Sequence, residues 1–196
     1  LAVLAVALAA ALAVPPVRAA LLDLLGLGGV SIERVDELPA VSPPGDLGLG
    51  VEVPPDQAGR EAFFALLVPD EEEWGEPDQA FVSTSVPGGM VSLLYGTEER
   101  VRLLVTQFRG RAEPDLVKKA VGEGTSLEFL TVRGKEGFWL AGNPHAVLFR
   151  DVNGELRDEA FRLAANVLVW VESGITIRLE GDFDRETAIR IAESLR

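Results

Sequence analysis

The sequence has 196 residues and a formal charge of −13, the balance of 31 acidic and 18 basic side chains. Nucleic-acid-binding proteins neutralise phosphates with a basic face, so this charge argues against that class. With no cysteine and a single histidine, the chain cannot form disulfides and lacks the usual ligands of structural zinc. We therefore expect no metal ion or other cofactor and a fold held together by packing.

The first 14 residues form an unbroken run of Leu, Ala and Val that ends at Pro15 and Pro16. A helix rises about 1.5 Å per residue, and crossing a bilayer takes about 20 residues. Because the chain begins with Leu1 rather than Met, we expect apolar residues upstream and predict a transmembrane helix over residues 1–20, truncated at its N-terminus. Two alternatives stay open: the core of a cleaved secretory signal and a buried helix.

Proline and glycine are concentrated in residues 35–55, which is typical of an extended linker. We assign residues 21–46 to a juxtamembrane segment and linker, and residues 47–196 to one extracytoplasmic domain. At the start of this domain, Asp56 is predicted to cap a short helix over residues 57–62. Residues 70–78 carry six acidic side chains. They lack the spacing of a calcium loop, so we expect a solvated loop rather than a cation site.

Strands are predicted from residue 81 onward, because short apolar segments alternate there with turn residues. Hairpins are predicted to pair residues 81–86 with 90–95, 127–132 with 137–141, and 166–171 with 175–179. A further strand is predicted at residues 101–108, and another at 145–152 leads into the hairpin signal Asn153-Gly154.

Helices are predicted at residues 116–121 and 185–195, the second with Asp184 as its cap and apolar residues at helical spacing. The short connections between strands require antiparallel pairing, because parallel pairing needs longer crossovers. The predicted fold class is α+β, with an antiparallel sheet of hairpins covered by the C-terminal amphipathic helix and preceded by the transmembrane helix.

Six segments of the chain together resemble a bacterial domain of unknown function. They are VSLLYG (91–96), LVTQF (104–108), KK (118–119), FWLAGNPH (138–145), NVLVW (166–170) and AIRIAESL (188–195). The similarity extends over residues 47–196. That domain is found as the C-terminal extracytoplasmic part of single-pass membrane proteins that resemble anti-sigma factors. The resemblance implies a signalling role at the cell membrane, with the domain outside the cytoplasm, and it supplies no catalytic residues.

Four side chains are candidates for binding or switching. His145 is the only histidine, and histidine is the residue type that ordinarily changes charge near neutral pH, so it could act as a switch or a general base. Trp139, Trp170 and Tyr95 could line a ligand groove, because aromatic residues dominate such surfaces. Each of the four could instead be a packed structural residue.

A hydrolytic Ser-His-Asp triad would need a serine close to His145. The candidates are Ser83, Ser85, Ser92 and Ser126, but the sequence has no Gly-x-Ser-x-Gly motif. We therefore predict a non-enzymatic sensory or protein-binding domain of a membrane-anchored regulator that resembles an anti-sigma factor.

The expected partners are the membrane, through the N-terminal helix, and a protein or small apolar ligand outside the cytoplasm. The alternative is a tethered or exported carrier that binds a lipid or other apolar ligand between sheet and helix, and a hydrolase is the third hypothesis. An enclosed apolar cavity would favour the carrier, whereas a filled core with an exposed groove or edge would favour the sensor.

Overall fold

A computed structural model describes residues 47–62, 64–112, 125–142, 146–160 and 166–196. They all belong to one compact unit, Val35–Arg196. The predicted transmembrane helix, the juxtamembrane segment and linker, the predicted helix at residues 116–121 and His145 lie outside the described residues. In the part of the chain that the structure describes, no helix has both the length and the apolar character needed to span a membrane.

Eleven β-strands are present in the described residues. They are β1 (Val51–Val53), β2 (Gln79–Ser83), β3 (Met90–Thr97), β4 (Arg100–Arg109), β5 (Arg111–Ala112), β6 (Thr125–Val132), β7 (Lys135–Gly142), β8 (Ala146–Arg150), β9 (Leu156–Ala160), β10 (Asn166–Glu172) and β11 (Ile175–Gly181). The first of them lies inside the predicted domain but within the proline- and glycine-rich stretch 35–55, so the extended, linker-like character predicted for that stretch does not hold at residues 51–53.

The same residues form three helices, α1 (Pro55–Glu61), α2 (Glu71–Trp74) and α3 (Arg185–Ser194). The predicted cap of α3 is confirmed, because Oδ1 of Asp184 accepts a hydrogen bond from the N–H of Thr187 at 2.8 Å. The predicted cap of α1 is wrong. Pro54 is the N-cap and Asp56 lies inside the first turn, since the fixed φ of proline suits the first helical position, here Pro55.

Eight strands form one sheet in the order β1-β2-β3-β4-β11-β10-β7-β6, and β5, β8 and β9 form a smaller one. All pairs are antiparallel. The predicted hairpins β2–β3, β6–β7, β8–β9 and β10–β11 are confirmed. The structure is thus a mostly antiparallel sheet with a C-terminal helix, as the α+β prediction required.

Two of the hairpin turns are shorter than predicted. Arg133 and Gly134 alone connect β6 to β7, with φ of 51° and 72°, and Ser173 and Gly174 alone connect β10 to β11, with φ of 53° and 79°. Positive φ at both central residues is the requirement of a two-residue turn whose twist matches that of the strands. The flanking residues that were predicted to be turn therefore continue the strands.

The large sheet is buried on both faces. On the helix face, α3 buries Ala188, Ile191 and Ala192 in the same apolar cluster as Leu168 and Ile177 of the sheet. The opposite face carries further apolar clusters. Strands such as β7 and β10 are buried on both sides and therefore contain short continuous apolar runs, at residues 138–141 and 167–171.

The opposite face also contains buried polar side chains at its centre. Arg178 of β11 lies beside Thr106 of β4, which in turn lies beside Ser92 of β3. Nε of Arg178 is 2.7 Å from Oε1 of Glu180, and both side chains are almost completely inaccessible to solvent. A buried charge pair of this kind is costly to break on one side, because the remaining charge loses its counterion without regaining water.

Arg133 joins the end of α3 to both two-residue hairpins. From the β6–β7 turn, its Nη1 donates a hydrogen bond to the carbonyl of Leu195 at 2.8 Å, and its Nε donates to Oε2 of Glu172 at 2.8 Å. Partial burial raises the pKa of Glu172, but hydrogen bonds from Arg133 and Trp170 outweigh this effect and leave that pKa below its usual value. At the other end of this contact, the guanidinium of Arg133 gives the carbonyl of Leu195 a hydrogen-bond partner that the end of α3 does not supply.

Candidate functional site

The three described aromatic candidates lie in the core of the helix face. Tyr95 is on β3, Trp139 on β7 and Trp170 on β10, and none is more than 6% exposed. Trp139 and Trp170 lie on neighbouring strands, whereas β4 and β11 separate Tyr95 from them. The structure therefore does not bring the three rings into one groove, and Tyr95 has to be considered by itself.

Tyr95 places a polar atom inside an apolar environment. The residue is fully buried, and its hydroxyl has no hydrogen-bond partner among the described residues. Its ring lies edge-on to that of Trp74, with centroids 6.1 Å apart. Burial raises the pKa of Tyr95 to about 12; the charge of Arg102 opposes this rise and that of Asp78 adds to it. The hydroxyl therefore stays neutral and can donate and accept a hydrogen bond.

A cavity of about 240 Å³ lies beside Tyr95 and is partly open to solvent; we call it the Tyr95 pocket. Its apolar lining consists of Pro55, Leu66, Val68, Pro69, Pro77 and Leu93, and its other lining residues are Tyr95, Gly75, Asp56, Glu71 and Glu76. Leu93 and Tyr95 are buried residues of β3 and form the floor. The three acidic residues are exposed and form the rim.

One wall of the pocket is the irregular segment 64–69, which Gln107 holds in place. Oε1 of Gln107 accepts a hydrogen bond from the N–H of Leu67 at 2.9 Å, and its Nε2 donates to the carbonyl of Leu67 at 2.7 Å. Val68 then exchanges two backbone hydrogen bonds with Arg196, at 2.9 and 3.0 Å. Because a buried amide satisfies both backbone groups of one residue, the wall has a fixed position above the sheet.

The helix α2 positions the acidic part of the rim, so the prediction that residues 70–78 form only a solvated loop is wrong. Oδ1 of Asp70 caps α2 by accepting a hydrogen bond from the N–H of Glu72 at 2.8 Å. Its Oδ2 is 2.5 Å from Nη2 of Arg196. Gly75 ends α2 with a φ of 72°, a conformation that glycine adopts without steric cost. The residues after α3 thus anchor the acidic rim.

The rim is negatively charged and no basic residue lines the pocket. Asp56 pairs with Arg60 at 3.7 Å, but both side chains are largely exposed, and such pairs contribute little. Glu71 and Glu76 have no ion-pair partner among the described residues. A cleft lined with one sign of charge concentrates the opposite charge near it, so this rim attracts cations.

A second cavity, of about 520 Å³, lies at the β2–β3 connection and is also open to solvent. It is lined by Glu61, Val82, Ser83, Thr84, Gly88, Gly89, Arg109 and Val152. Only two of these residues are aliphatic beyond glycine. Because the cavity is open to solvent, it supplies no apolar enclosure.

The serines considered for a triad contact other hydroxyls or backbone. The distances are 2.8 Å between Oγ of Ser83 and Oγ of Ser85, 3.3 Å between Oγ of Ser92 and Oγ1 of Thr106, and 3.3 Å between Oγ of Ser126 and the carbonyl of Ala141. His145 lies outside the described residues. Within the described ranges, no three acidic or histidine side chains are arranged to hold a metal ion.

Sequence reasoning singled out Tyr95 but missed the residues around it. Pro55, Leu66, Glu71 and Glu76 come from separate segments that only the fold brings together. A usable signal was present, because Pro69 and Pro77 enclose most of the acidic run and proline marks turns. Comparisons of the chain with protein-family models, with curated proteins and with solved structures found no match.

Proposed function

We propose that this chain is the extracytoplasmic sensory or protein-binding domain of a membrane-anchored regulator that resembles an anti-sigma factor, and that it is not an enzyme. The observation that carries the binding role is the Tyr95 pocket, with its apolar walls and its acidic rim. The membrane location and the regulatory role rest on the apolar run at residues 1–14 and on the family resemblance.

The chemistry of the pocket supports recognition rather than catalysis. A general acid or base works best with a pKa near the operating pH, whereas burial moves the pKa of Tyr95 to about 12. The acidic residues of the rim are exposed to solvent, and exposed carboxylates are poor nucleophiles without a partner that activates them. A partly apolar pocket with an acidic rim is instead suited to holding a group that carries a positive charge.

The size of the pocket favours a sensor over the lipid carrier. Pockets for drug-sized ligands have volumes of about 300–1,000 Å³, and the Tyr95 pocket has about 240 Å³. It therefore fits one side chain or a molecule of similar size. The second cavity is larger but open to solvent, so it does not enclose an acyl chain.

The location is tested by restoring the native upstream residues and expressing the protein in a bacterial host. We expect it to fractionate with membranes and to resist carbonate extraction. Protease added outside spheroplasts should remove the domain while cytoplasmic marker proteins stay intact. Recovery of a soluble protein whose N-terminus lies near Val14 would show that the apolar run is a cleaved signal.

The regulatory role is tested by measuring transcripts in the native bacterium. Reversing the rim charge with Glu71→Lys and Glu76→Lys should change a defined set of transcripts at constant protein abundance. The matched control is Glu72→Lys, which changes charge on α2 at a residue outside the pocket lining. If deletion of residues 47–196 leaves the transcript profile unchanged, the domain is not part of a regulator.

A further inference from the structure

We infer that Asn153 is a site of spontaneous deamidation, and that Asp151 suppresses this modification by holding closed the turn at residues 151–155, between β8 and β9. The inference does not depend on the proposed binding role. It begins from the pair Asn153-Gly154, which lies exposed in that turn. Because glycine has no side chain to hinder attack by its own backbone nitrogen, this reaction meets the least steric resistance in an Asn-Gly pair.

The reaction joins the backbone of the turn to the side chain of Asn153. The nitrogen of Gly154 gives its proton to solvent and bonds to Cγ of Asn153, which closes a cyclic imide. The bond from Cγ to Nδ2 breaks, and Nδ2 takes a proton from solvent and leaves as ammonia. Water then adds to either carbonyl carbon of the ring, and the product is aspartate or isoaspartate. Water is the only co-reactant, and Asn153 is exposed to it.

The native turn is closed by the same nitrogen that has to react. The N–H of Gly154 donates a hydrogen bond to the carbonyl of Asp151 at 2.9 Å, which closes a turn with Val152 and Asn153 at its centre. The nitrogen of the imide carries no hydrogen, so this bond cannot exist in the cyclic intermediate. The ring therefore forms only after the turn has opened at Gly154.

The carboxylate of Asp151 makes that opening unfavourable. Asp151 is only 5% exposed, and its Oδ1 accepts hydrogen bonds from the N–H of Asn153 at 2.8 Å and from the N–H of Glu155 at 3.1 Å. The N–H of Asp151 also donates to the carbonyl of Glu155 at 3.0 Å. One aspartate thus fixes the backbone on both sides of the peptide that has to rotate, in the manner of an Asx-turn.

Val152 fixes the turn against a second connection of the fold. A Cβ added to Gly88, between β2 and β3, would lie 3.1 Å from Cγ1 of Val152, so the two connections pack closely. Deamidation places a new negative charge between Asp151 and Glu155, and like charges at short range repel. Isoaspartate also lengthens the main chain by a carbon atom. Both products therefore weaken the closed turn, and the modification marks molecules whose turn has opened.

The test measures deamidation of the whole chain in detergent micelles at mildly alkaline pH, with and without urea. Trypsin cleaves after Arg150 and Arg157, and mass spectrometry of the released peptide reports on Asn153, its only amide side chain. Three hydrogen bonds hold the turn at Asp151, each worth about fivefold in an equilibrium constant, so we expect modification at least about tenfold faster in urea. Asn166, which precedes the bulkier Val167, is the internal control and should stay unmodified.

Variants assign the protection to Asp151. Asp151→Ala removes the accepting carboxylate, so native-state deamidation should accelerate about threefold to tenfold, while the rate in urea stays within about twofold because the unfolded chain lacks the turn. The control Glu155→Gln removes an exposed carboxylate of the same turn and keeps the N–H that Asp151 binds, so its rate should stay within about twofold of the wild type. Far-UV circular dichroism checks that each variant is folded. The comparison of wild type with and without urea needs no variant and decides the question even if Asp151→Ala does not fold.

Three results would overturn the inference. Equal rates in the native and the urea-unfolded wild type would show that the turn gives no protection. Absence of modification at Asn153 in urea would show that it is not a site of deamidation. Equal native-state rates of Asp151→Ala and the wild type would assign the protection to other contacts. None of these results bears on membrane location or transcripts, so the proposed regulatory function stands or falls by its own experiments.

Discussion

Replacing Tyr95 by Phe should stabilise the domain, although Tyr95 is in the core. The substitution removes one hydroxyl and keeps the ring and its edge-on contact with Trp74. A buried polar group with no partner costs about 1–3 kcal/mol, and the hydroxyl of Tyr95 has none among the described residues. We therefore expect the free energy of unfolding to rise by about 1 kcal/mol, which corresponds to about 2–4 °C in Tm for a domain of this size.

The measurement is urea unfolding followed by tryptophan fluorescence, with the slope of free energy against urea checked for constancy. Tyr95→Leu is the matched variant, because it removes the hydroxyl together with the ring and should lower stability by a few kcal/mol. A loss of more than about 1 kcal/mol in Tyr95→Phe would refute the reasoning. It would mean that the hydroxyl has a hydrogen-bond partner in the unliganded protein.

Alkaline pH provides an independent test of the same residue. The pKa of Tyr95 is raised from 10.0 to about 12 by burial, so the folded state holds this proton more tightly than the unfolded state does. The contribution of this bound proton to the free energy of unfolding is fully present below pH 10 and is lost as the pH rises through about 12. Between pH 10 and about pH 12, the free energy of unfolding of the wild type should fall by up to roughly 3 kcal/mol more than that of Tyr95→Phe. If the free energies of unfolding of the wild type and of Tyr95→Phe changed with pH in the same way, the hydroxyl would not be buried.

Three further predictions concern stability and use the same unfolding assay. Arg133→Ala should cost about 2–3 kcal/mol, because the end of α3 and a hairpin carboxylate both lose a charged donor; a cost below about 0.5 kcal/mol would show that the contacts are dispensable. Ile191→Ala should cost about 2–5 kcal/mol and the exposed Arg190→Ala less than about 0.5 kcal/mol; similar costs would show that α3 does not cover the core. Arg178→Met should cost about 3–5 kcal/mol, whereas the double variant with Glu180→Leu should recover most of that loss; no recovery would show that the two residues do not act as a pair.

Local features of the fold could be predicted because local signals determine them. The hairpin at Asn153-Gly154 and the capping of α3 by Asp184 follow from residues within a few positions of each other. The pairing of β4 with β11 could not be predicted in this way, since residues 104–109 and 175–180 carry no local signal for each other. The order of the strands therefore came from the structure alone.

Two errors near the start of the domain have a common cause. In both, the amino-acid composition of a segment was taken to mean an irregular structure, although its residues can also form a short strand or helix. Val51–Val53 lies in the proline- and glycine-rich stretch 35–55, whose composition is typical of a linker, yet three residues suffice for an edge strand that ends before Pro54. The acidic run was assigned to a loop, yet Asp70 is a good cap and acids in the first turn favour a helix start.

The candidate site was only partly predictable for a related reason. Tyr95 stood out as the only tyrosine, but whether its hydroxyl would have a partner depends on packing around α2 and on the segment that Gln107 holds. Trp139 and Trp170 are equally conspicuous in the sequence and are core residues. Aromatic identity therefore does not distinguish a binding residue from a packing residue.

The central position of β11 has a consequence for how the chain folds as it is synthesised. Strands β1 to β4 form one half of the large sheet, β6, β7 and β10 form the other, and β11 lies between them. Until residues 175–181 leave the ribosome, β4 and β10 each present an unpaired edge, and such edges promote aggregation. We expect nascent chains arrested before residue 175 to need a chaperone that holds both half-sheets apart. Release of residues 175–181 would then allow the sheet to close in one cooperative step.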